Sequence, residues 1–289
     1  MFIIFGSPRS GTTLLASSLE LHSEIVIPRE TDFIVPLLFI LDRIKDEKVG
    51  KKLLGEMIVA TNYYPHSIGH FLNPTEVTQV IESAPYSAAE LIDAIYDAVS
   101  KKAGRRMAGD KSPNDLEQIG MFGKTKVLSS EKIKLIHIVR DIRDVVLSIQ
   151  GMPWGSPNIH YGFPRIWNAQ NMLLHATCSR DGVRYKLIRF EDMVADPEKT
   201  FRELTDFLGL EFQTAMLNND QRGSRYFRRS DSYHENLKQP FLTDRIAVWK
   251  REMPPDIRKT CERQAREGLE AFGYEAGNHS ALAHTHSET

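Results

Sequence analysis

The chain has few of the features that mark secreted or membrane proteins. It contains only two cysteines, Cys178 and Cys261, which are too few for a disulfide framework and lack metal-ligand spacing. Its longest apolar run, residues 33–41, is interrupted by Pro36 and falls far short of the ~20 residues that cross a bilayer. No basic and apolar leader precedes the first predicted strand. We therefore expect a cytoplasmic protein without a membrane span.

An excess of charge of either sign is also missing. The net charge is −1, so no overall field attracts nucleic acid, and any anion site must be local. We expect one domain over residues 1–275 and a flexible tail over 276–289. The tail histidines, His279, His284 and His286, fit either a frayed terminus or a metal-binding tract, and we favour the terminus. No metal is expected.

Short apolar runs alternate with longer helical patterns along the chain. The runs cover residues 2–5, 24–27, 134–139 and 185–190, with a weaker one at 106–109. This alternation predicts an α/β fold like that of P-loop NTPases, with a parallel sheet of about five strands flanked by helices. Residues 53–87 show no clear periodicity, and we interpret them as an insertion or lid near a substrate site.

The first apolar run leads into a glycine-framed loop, Gly6-Ser7-Pro8-Arg9-Ser10-Gly11, and then a helical pattern. A strand, a glycine loop and a helix N-terminus present backbone N–H groups to an anion, usually a phosphate. Thr12 stands where a Walker A loop has its lysine, and a cation, Arg9, lies inside the loop instead. The missing lysine argues against ATP or GTP hydrolysis and favours another phosphorylated donor.

A second anion site is predicted where the strand at 134–139 ends. Arg140 follows this strand, and ligands of open α/β sheets bind at the carboxyl ends of strands. Ser148 would lie roughly 10–12 Å along a helix that begins near Asp141. Asp141 and Asp144 suit the helix dipole, whereas Arg140 and Arg143 are unfavourable at its positive end unless an anion is present.

These two motifs resemble those of sulfotransferases that use 3′-phosphoadenosine 5′-phosphosulfate (PAPS). The loop is similar to the Arg form found in tyrosylprotein sulfotransferases and their bacterial relatives, and the strand-Arg-helix-Ser spacing resembles the 3′-phosphate site of the family. The resemblance implies a PAPS-dependent sulfotransferase that acts on a hydroxyl. It implies PAPS contacts from Arg9, Ser10, Gly11, Thr12, Thr13, Arg140 and Ser148.

The resemblance also implies the residues that activate the acceptor. Cytosolic sulfotransferases carry a His base two residues after a Lys, but here Lys111 is followed at that distance by Pro113, which cannot accept a proton. In the tyrosylprotein group a Glu-Thr pair after the second strand supplies the base, and Glu30-Thr31 occupies that place. We therefore expect Glu30 as the base, with Lys111 and Arg9 as catalytic cations. Other candidate bases are His22, His66, His70 and His160.

A late arginine-rich loop, residues 222–229, has three possible roles. By resemblance, Arg225 and Arg228 would close over the 3′-phosphate, where Phe190 replaces a Tyr that family members often carry. The loop could instead bind an acidic acceptor, or it could be a solvated surface loop.

Two other functions fit the sequence less well. A P-loop kinase or NTPase lacks support from a Walker lysine or a clear magnesium site, and a non-catalytic nucleotide-binding module gives no reason for Glu30 and Lys111. The hydroxyl-bearing acceptor could be a small molecule, carbohydrate, lipid or peptide tyrosine. The oligomeric state cannot be read from the sequence.

Overall fold

Five parallel strands form one sheet at the centre of the protein. The computed structural model describes residues 1–112, 115–179, 184–222 and 239–277. The strands are β1 (Phe2–Phe5), β2 (Ile25–Val26), β3 (Met107–Asp110), β4 (Lys134–Val139) and β5 (Tyr185–Arg189). Their order across the sheet is β2-β3-β1-β4-β5. The α/β class and the five-stranded parallel sheet expected from the sequence are confirmed.

The register of the sheet brings the carboxyl ends of the strands to one edge. Phe2 of β1 is level with Lys134 of β4 and with Gly109 of β3, and Leu135 is level with Tyr185 of β5. The chain passes from one side of β1 to the other after β3. Such a switch in strand order leaves a crevice at the carboxyl edge, where α/β proteins bind ligands.

Both faces of β1 are apolar because the strand is covered by helices on each side. Phe2 and Ile4 pack with Ile136 on one face, while Ile3 and Phe5 belong to the core on the other face. Each such side chain contributes about 1.5–3 kcal/mol on burial. The core therefore fixes β1, and with it the start of the glycine loop (residues 6–11).

Helices connect and cover the strands. They are α1 (Thr12–Leu19), α2 (Ile34–Arg43), α3 (Glu47–Ala60), α4 (Pro74–Ser83), α5 (Ala88–Lys102), α6 (Ile119–Lys124), α7 (Ile142–Gln150), α8 (Phe163–Cys178), α9 (Phe190–Ala195), α10 (Pro197–Leu208), α11 (Trp249–Glu252), α12 (Pro255–Gln264) and α13 (Arg266–Ala271).

Two helices begin at local sequence signals, the Asp196-Pro197 pair and Asp141 after β4. The Asp196 carboxylate accepts a hydrogen bond from Lys199 N at 3.1 Å and caps α10, and Gly209 ends that helix in a left-handed conformation, φ 78°. The Asp141 carboxylate caps α7 by accepting from Arg143 N at 2.9 Å. Short polar side chains satisfy the free N–H groups of a first helical turn.

Three segments differ from the sequence prediction. β2 is limited to Ile25–Val26, and β5 ends at Arg189 because Phe190 already begins α9. Residues 53–87, which show no clear periodicity, include most of α3 and all of α4. A capping box between Asn73 and Glu76 starts α4. This pattern of residues is visible in the sequence and could have predicted the start of the helix.

Within the described ranges, no helix combines the length and the apolar character needed to cross a membrane.

Candidate active site

The carboxyl edge of the sheet collects the predicted site residues. The glycine loop follows β1, Lys111 follows β3, and Arg140 follows β4. Glu30 lies a few residues beyond β2. The site therefore has two halves, which we call the nucleotide half, over β1 and β4, and the base half, over β2 and β3.

The glycine loop has a backbone that few residues could adopt. Gly11 has φ 93°, and a Cβ there would lie 2.5 Å from the Phe190 ring, so a side chain at this position is excluded. Arg9 has φ 67°, a left-handed conformation that is uncommon outside glycine. Strain of this kind concentrates at ligand-binding loops.

The glycine loop and the first turn of α1 contain several hydrogen-bond donors. The Ser10 side chain is fully buried, and its hydroxyl has no hydrogen-bond partner among the described residues. Thr12 and Thr13 form the first turn of α1, whose N–H groups carry the positive end of the helix dipole. A buried hydroxyl without a partner beside a helix N-terminus suits an anionic ligand.

Two arginine side chains, Arg9 and Arg140, meet at the glycine loop. Arg9 Nε donates to Ser148 Oγ at 3.0 Å. Arg140 donates to the carbonyl oxygens of Arg9, at 3.1 Å, and of Arg245, at 3.0 Å. Burial, with repulsion from Arg140 and Arg245, lowers the pKa of Arg9. The structure thus brings Arg9, Arg140 and Ser148 together, as expected for an anion site.

The Phe190 ring packs against Arg140 and against the glycine loop at Gly11. The Arg140 guanidinium lies 4.4 Å from the centre of the Phe190 ring, within cation–π range. The same ring fills the space beside Gly11. Phe190 therefore holds Arg140 and the loop in place, although it has no hydroxyl with which to contact a phosphate.

Arg143 corrects one argument from the sequence. It does not need an anionic ligand at the helix start, because its buried guanidinium pairs with Asp141 at 2.7 Å and Glu262 at 2.8 Å. Asp144 has a tertiary role as well and accepts from the backbone N–H groups of Ala247 and Trp249. Only Arg140 of the two arginines faces the site.

In the base half, Glu30 and Lys111 form an ion pair with Oε1 and Nζ 2.5 Å apart. The Lys111 side chain is 4% exposed, whereas the Glu30 side chain is 40% exposed. Glu30 can therefore meet a molecule that enters from solvent, while Lys111 stays fixed behind it. The two residues predicted for acceptor activation are adjacent.

A buried cluster beneath this pair was not predicted from the sequence. Asp110 Oδ1 accepts from Thr31 Oγ1 at 2.9 Å, from the Tyr96 hydroxyl, and from Ser112 Oγ at 3.4 Å. Thr31 and Asp110 immediately neighbour Glu30 and Lys111 in the sequence. The Asp110 carboxylate thus ties the end of β2 to the end of β3 and sets the spacing of the ion pair.

A second buried carboxyl, Asp115, accompanies Asp110. Burial raises the pKa of Asp115 well above its usual range, and the nearby Asp110 and Asp32 raise it further. Burial also raises the pKa of Asp110, against the hydrogen bonds that it accepts from Tyr96, Thr31 and Ser112. Both pKa values are thus raised, as expected for two carboxyls that are buried close to each other.

The glycine loop is supported by another hydrogen-bond chain that sequence analysis missed. His137 Nε2 and Asn171 Oδ1 are 2.8 Å apart, and Asn171 Nδ2 donates to Ser7 Oγ at 3.1 Å. Burial lowers the pKa of His137 to about 4, so the ring is neutral and interior. Because Asn171 donates to the Ser7 oxygen, the Ser7 proton is available to another acceptor.

The four histidines that were alternative candidates for the base lie in three different surroundings. His22 is buried and contacts the Glu211 carbonyl oxygen at 2.8 Å. His160 is buried against Tyr161, with ring centroids 4.1 Å apart. His66 and His70 line a cavity at the outer edge of β2.

Part of the arginine-rich loop, including Arg225 and Arg228, and Pro113 and the tail histidines, lie outside the described residues. Arg222 is described. Its guanidinium is 4.1 Å from the centre of the Phe241 ring, and burial lowers its pKa to about 10. In the part of the chain that the structure describes, no three His, Cys, Asp or Glu side chains group as metal ligands.

The chain is similar to sulfotransferases both in sequence pattern and in fold. A model of the sulfotransferase family matches residues 2–214. The fold is similar to that of the sulfotransferase domain of the Synechococcus PCC 7002 olefin synthase, with 24% identity, TM-score 0.62, and coverage of 96% of this chain and 95% of that domain.

A sulfotransferase domain from the curacin biosynthetic pathway is similar at 20% identity and TM-score 0.63, with coverage of 96% of this chain and 98% of that domain. At these identities the two structures establish the fold alone. No curated protein matches the chain.

Proposed function

The chain belongs to the sulfotransferase family, and from that premise we propose that it transfers the sulfuryl group of PAPS to a hydroxyl of an acceptor. The observation that carries the proposal is the nucleotide half, where the half-buried Arg9, the buried Arg140 and the Ser10 hydroxyl, which has no partner among the described residues, lie beside a helix N-terminus. The Glu30–Lys111 ion pair of the base half lies at the same carboxyl edge of the sheet.

The nucleotide half supports binding of a molecule with two phosphate-type groups. Arg9, Ser10, Gly11, Thr12 and Thr13 would hold the 5′-phosphosulfate, since backbone N–H groups and a forked guanidinium suit tetrahedral oxyanions. Arg140 and Ser148 would hold the 3′-phosphate. Arg9 also contacts Ser148, so one side chain couples the two subsites.

Arg9 and Lys111 also suit the chemistry of the transfer. Negative charge develops on the bridging oxygen as the nucleotide leaves, and positioned cations stabilise it with little reorganisation. PAPS would supply the activated sulfuryl group. The Lys111 ammonium is buried and is held in position by Glu30, which suits a cation that would stabilise this charge.

Glu30 would accept the proton of the acceptor hydroxyl. Its carboxylate is exposed enough to meet the acceptor and is oriented by Lys111, as a general base requires. The acceptor oxygen gains the sulfuryl group, the sulfur–phosphate oxygen bond breaks, and the proton moves to Glu30. The products are a sulfate ester and 3′-phosphoadenosine 5′-phosphate (PAP).

Isothermal titration of the protein with PAP, without magnesium and with ATP as a control, tests the proposal. We expect micromolar or tighter binding of PAP and much weaker binding of ATP. Tight ATP binding, or no binding of either nucleotide, would overturn PAPS use and favour a kinase or a non-catalytic nucleotide-binding protein.

A further inference from the structure

Two backbone carbonyl oxygens hold the Arg140 guanidinium in place. Its Nη1 donates to the Arg9 carbonyl oxygen at 3.1 Å, and its Nη2 donates to the Arg245 carbonyl oxygen at 3.0 Å. Its buried Nε has no partner among the described residues. The direction in which Arg140 presents this donor therefore depends on where the Arg245 carbonyl oxygen lies.

The Arg245 carbonyl oxygen belongs to a bend over residues 245–249, which we call the C-terminal turn. The turn lies beyond residues 2–214, the part of the chain that the family model matches. Ala247, at its centre, has φ 54°, a left-handed conformation that is unfavourable for a residue with a Cβ. Such a conformation persists only where the surrounding structure holds it.

The Asp144 carboxylate holds the C-terminal turn. Its Oδ2 accepts from Ala247 N at 2.9 Å, and its Oδ1 accepts from Trp249 N at 2.8 Å. Both oxygens of one buried side chain thus bind N–H groups of the turn, and hydrogen bonds to a carboxylate are among the stronger ones in proteins. The position of the Arg245 carbonyl oxygen, two residues before Ala247, follows from these bonds.

One face of α7 connects to both arginines of the nucleotide half. Asp144 and Ser148 are four residues apart in α7, so they lie on the same face of the helix. Ser148 accepts from the Arg9 side chain, and Asp144 holds the turn that binds Arg140. Arg9 is therefore fixed directly by α7, and Arg140 is fixed through the C-terminal turn.

We propose that Asp144 is a positioning residue for nucleotide recognition. It holds the C-terminal turn so that the Arg245 carbonyl oxygen orients Arg140 toward the 3′-phosphate, and it does not contact the nucleotide itself. The part of this inference that concerns the 3′-phosphate rests on the proposed sulfotransfer, whereas the fixing of Arg140 by Asp144 does not.

Two nucleotides that differ only in the 3′-phosphate test the proposal. PAP and 5′-AMP are titrated calorimetrically into the wild type and into Asp144→Asn. The amide keeps the size of the side chain but replaces one acceptor oxygen by a donor, so one bond to the turn is lost. We expect the affinity for PAP to fall about tenfold, as for one hydrogen bond to a charged group, and the affinity for 5′-AMP to stay the same.

The sign of the change separates positioning from charge. Removing a carboxylate that attracts Arg140 makes the site more positive, so charge alone predicts tighter binding of PAP. Asp144→Glu keeps the charge but displaces both oxygens, and it should also weaken PAP binding.

Asp46→Asn is the matched control. Asp46 also binds a backbone N–H group, that of Val49 at 2.9 Å, but it caps α3, so its loss should leave the ratio of PAP to 5′-AMP affinity unchanged. Circular dichroism checks that each variant folds. If Asp144→Asn does not fold, Asp144→Glu provides the test.

A double variant and a measurement without nucleotide test the route through Arg140. In an Arg140→Ala background, Asp144→Asn should not weaken PAP binding further, because the side chain that the turn holds is gone. In the free protein, NMR follows exchange of the Arg140 Nε–H proton with water, and the signal is identified by its absence in Arg140→Ala. Exchange should be slow in the wild type and faster in Asp144→Asn.

The outcomes separate this inference from the proposed function. If the wild type prefers PAP but the Asp144 variants keep or increase that preference, the proposed function stands and this inference fails. A further loss of PAP affinity in the Arg140→Ala background also overturns the inference. If the wild type does not distinguish PAP from 5′-AMP, the proposed function fails, and faster exchange of the Arg140 proton in Asp144→Asn still shows that Asp144 fixes Arg140. Equal exchange rates overturn that part as well.

Discussion

The nucleotide half and the base half of the site differ in how their charged side chains are paired. In the nucleotide half, Arg9 and Arg140 lie close together, and neither forms an ion pair with a carboxylate of the described residues. In the base half, Lys111 pairs with Glu30, and Asp110 accepts three hydrogen bonds. The first half holds two arginines that repel each other, and the second holds an ion pair whose opposite charges attract.

This difference shows which half depends on a ligand. Buried like charges disfavour the folded state, and a bound anion removes that cost. An anion that binds the nucleotide half should therefore raise the melting temperature by mass action. The base half is held together by its own hydrogen bonds, so its geometry should be the same with and without nucleotide. The predictions below test this contrast.

The largest effect is expected for Arg9→Ala, in the nucleotide half. Loss of this guanidinium should lower kcat by about 10³-fold or more, as for other arginines at a transferring oxyanion, and should weaken PAP binding. Because it also removes repulsion with Arg140, the melting temperature without nucleotide should not fall. Turnover assays with PAPS and thermal melts with and without PAP measure both effects.

Arg9→Lys serves as the control, since it keeps the charge and loses the forked geometry. It should retain part of the PAP-dependent rise in melting temperature. Wild-type turnover in Arg9→Ala would contradict the role of Arg9 in the transfer.

Glu30→Gln tests the base half. The amide cannot accept the hydroxyl proton, so kcat should fall by about 10²- to 10⁴-fold. PAP affinity should stay the same, because Glu30 contacts Lys111 rather than the nucleotide half. Calorimetry and steady-state kinetics give the two values. Unchanged turnover would remove Glu30 as the base, and loss of PAP binding would show that the halves are coupled.

Ser148→Ala sharpens the comparison with a smaller change in the nucleotide half. The hydroxyl accepts from Arg9 and, in the proposed complex, contacts the 3′-phosphate. Its loss should weaken PAP binding by about 1–3 kcal/mol and leave kcat at saturating PAPS nearly unchanged. Ser156→Ala, in the loop after α7, is a suitable control. A fall in kcat without a change in PAP affinity would contradict this assignment.

The smallest effect concerns stability and pH in the base half. Because the folded-state pKa of Asp115 is raised, the native state binds more protons than the unfolded state above the ordinary pKa. Its contribution to the free energy of unfolding therefore falls as pH rises from about 4 through the raised pKa. Asp115→Asn keeps the size of the side chain, cannot ionise, and removes this dependence.

We expect Asp115→Asn to match the wild type near pH 4 and to exceed it by about 1–3 kcal/mol at higher pH. Urea unfolding across this pH range measures the difference. A wild-type stability that does not decline relative to Asp115→Asn as pH rises would show that Asp115 ionises normally.

The elements of the fold that were predicted correctly depend on local sequence. The strand pattern at residues 2–5 and 134–139 matches β1 and β4, because buried strands are continuous apolar runs. The glycine loop requires its glycines for backbone reasons that any fold would impose. Asp141 and Asp196 cap helices through bonds to residues two and three positions away.

Other features could not be predicted from local sequence, because they depend on contacts between distant residues. Arg143 seemed to need an anion until the structure placed Glu262, 119 residues away, against it. Asp110, Tyr96 and Thr31 form their cluster across three elements, and each is an ordinary residue in its own segment. The helices over residues 53–87 pack into the core through a few buried side chains, which left a weak periodicity.

By itself, the sequence determined the local patterns on which the proposed subsites rest. These patterns are a glycine loop with an internal arginine, a strand followed by Arg140, and Glu30-Thr31 after β2. The tertiary structure alone decided which of these residues meet. Arg9 contacts Ser148 across 139 residues, and Lys111 contacts Glu30 across 81. Such pairs depend on strand order and register. Both arise from packing of the whole core, so no short segment of sequence predicts them.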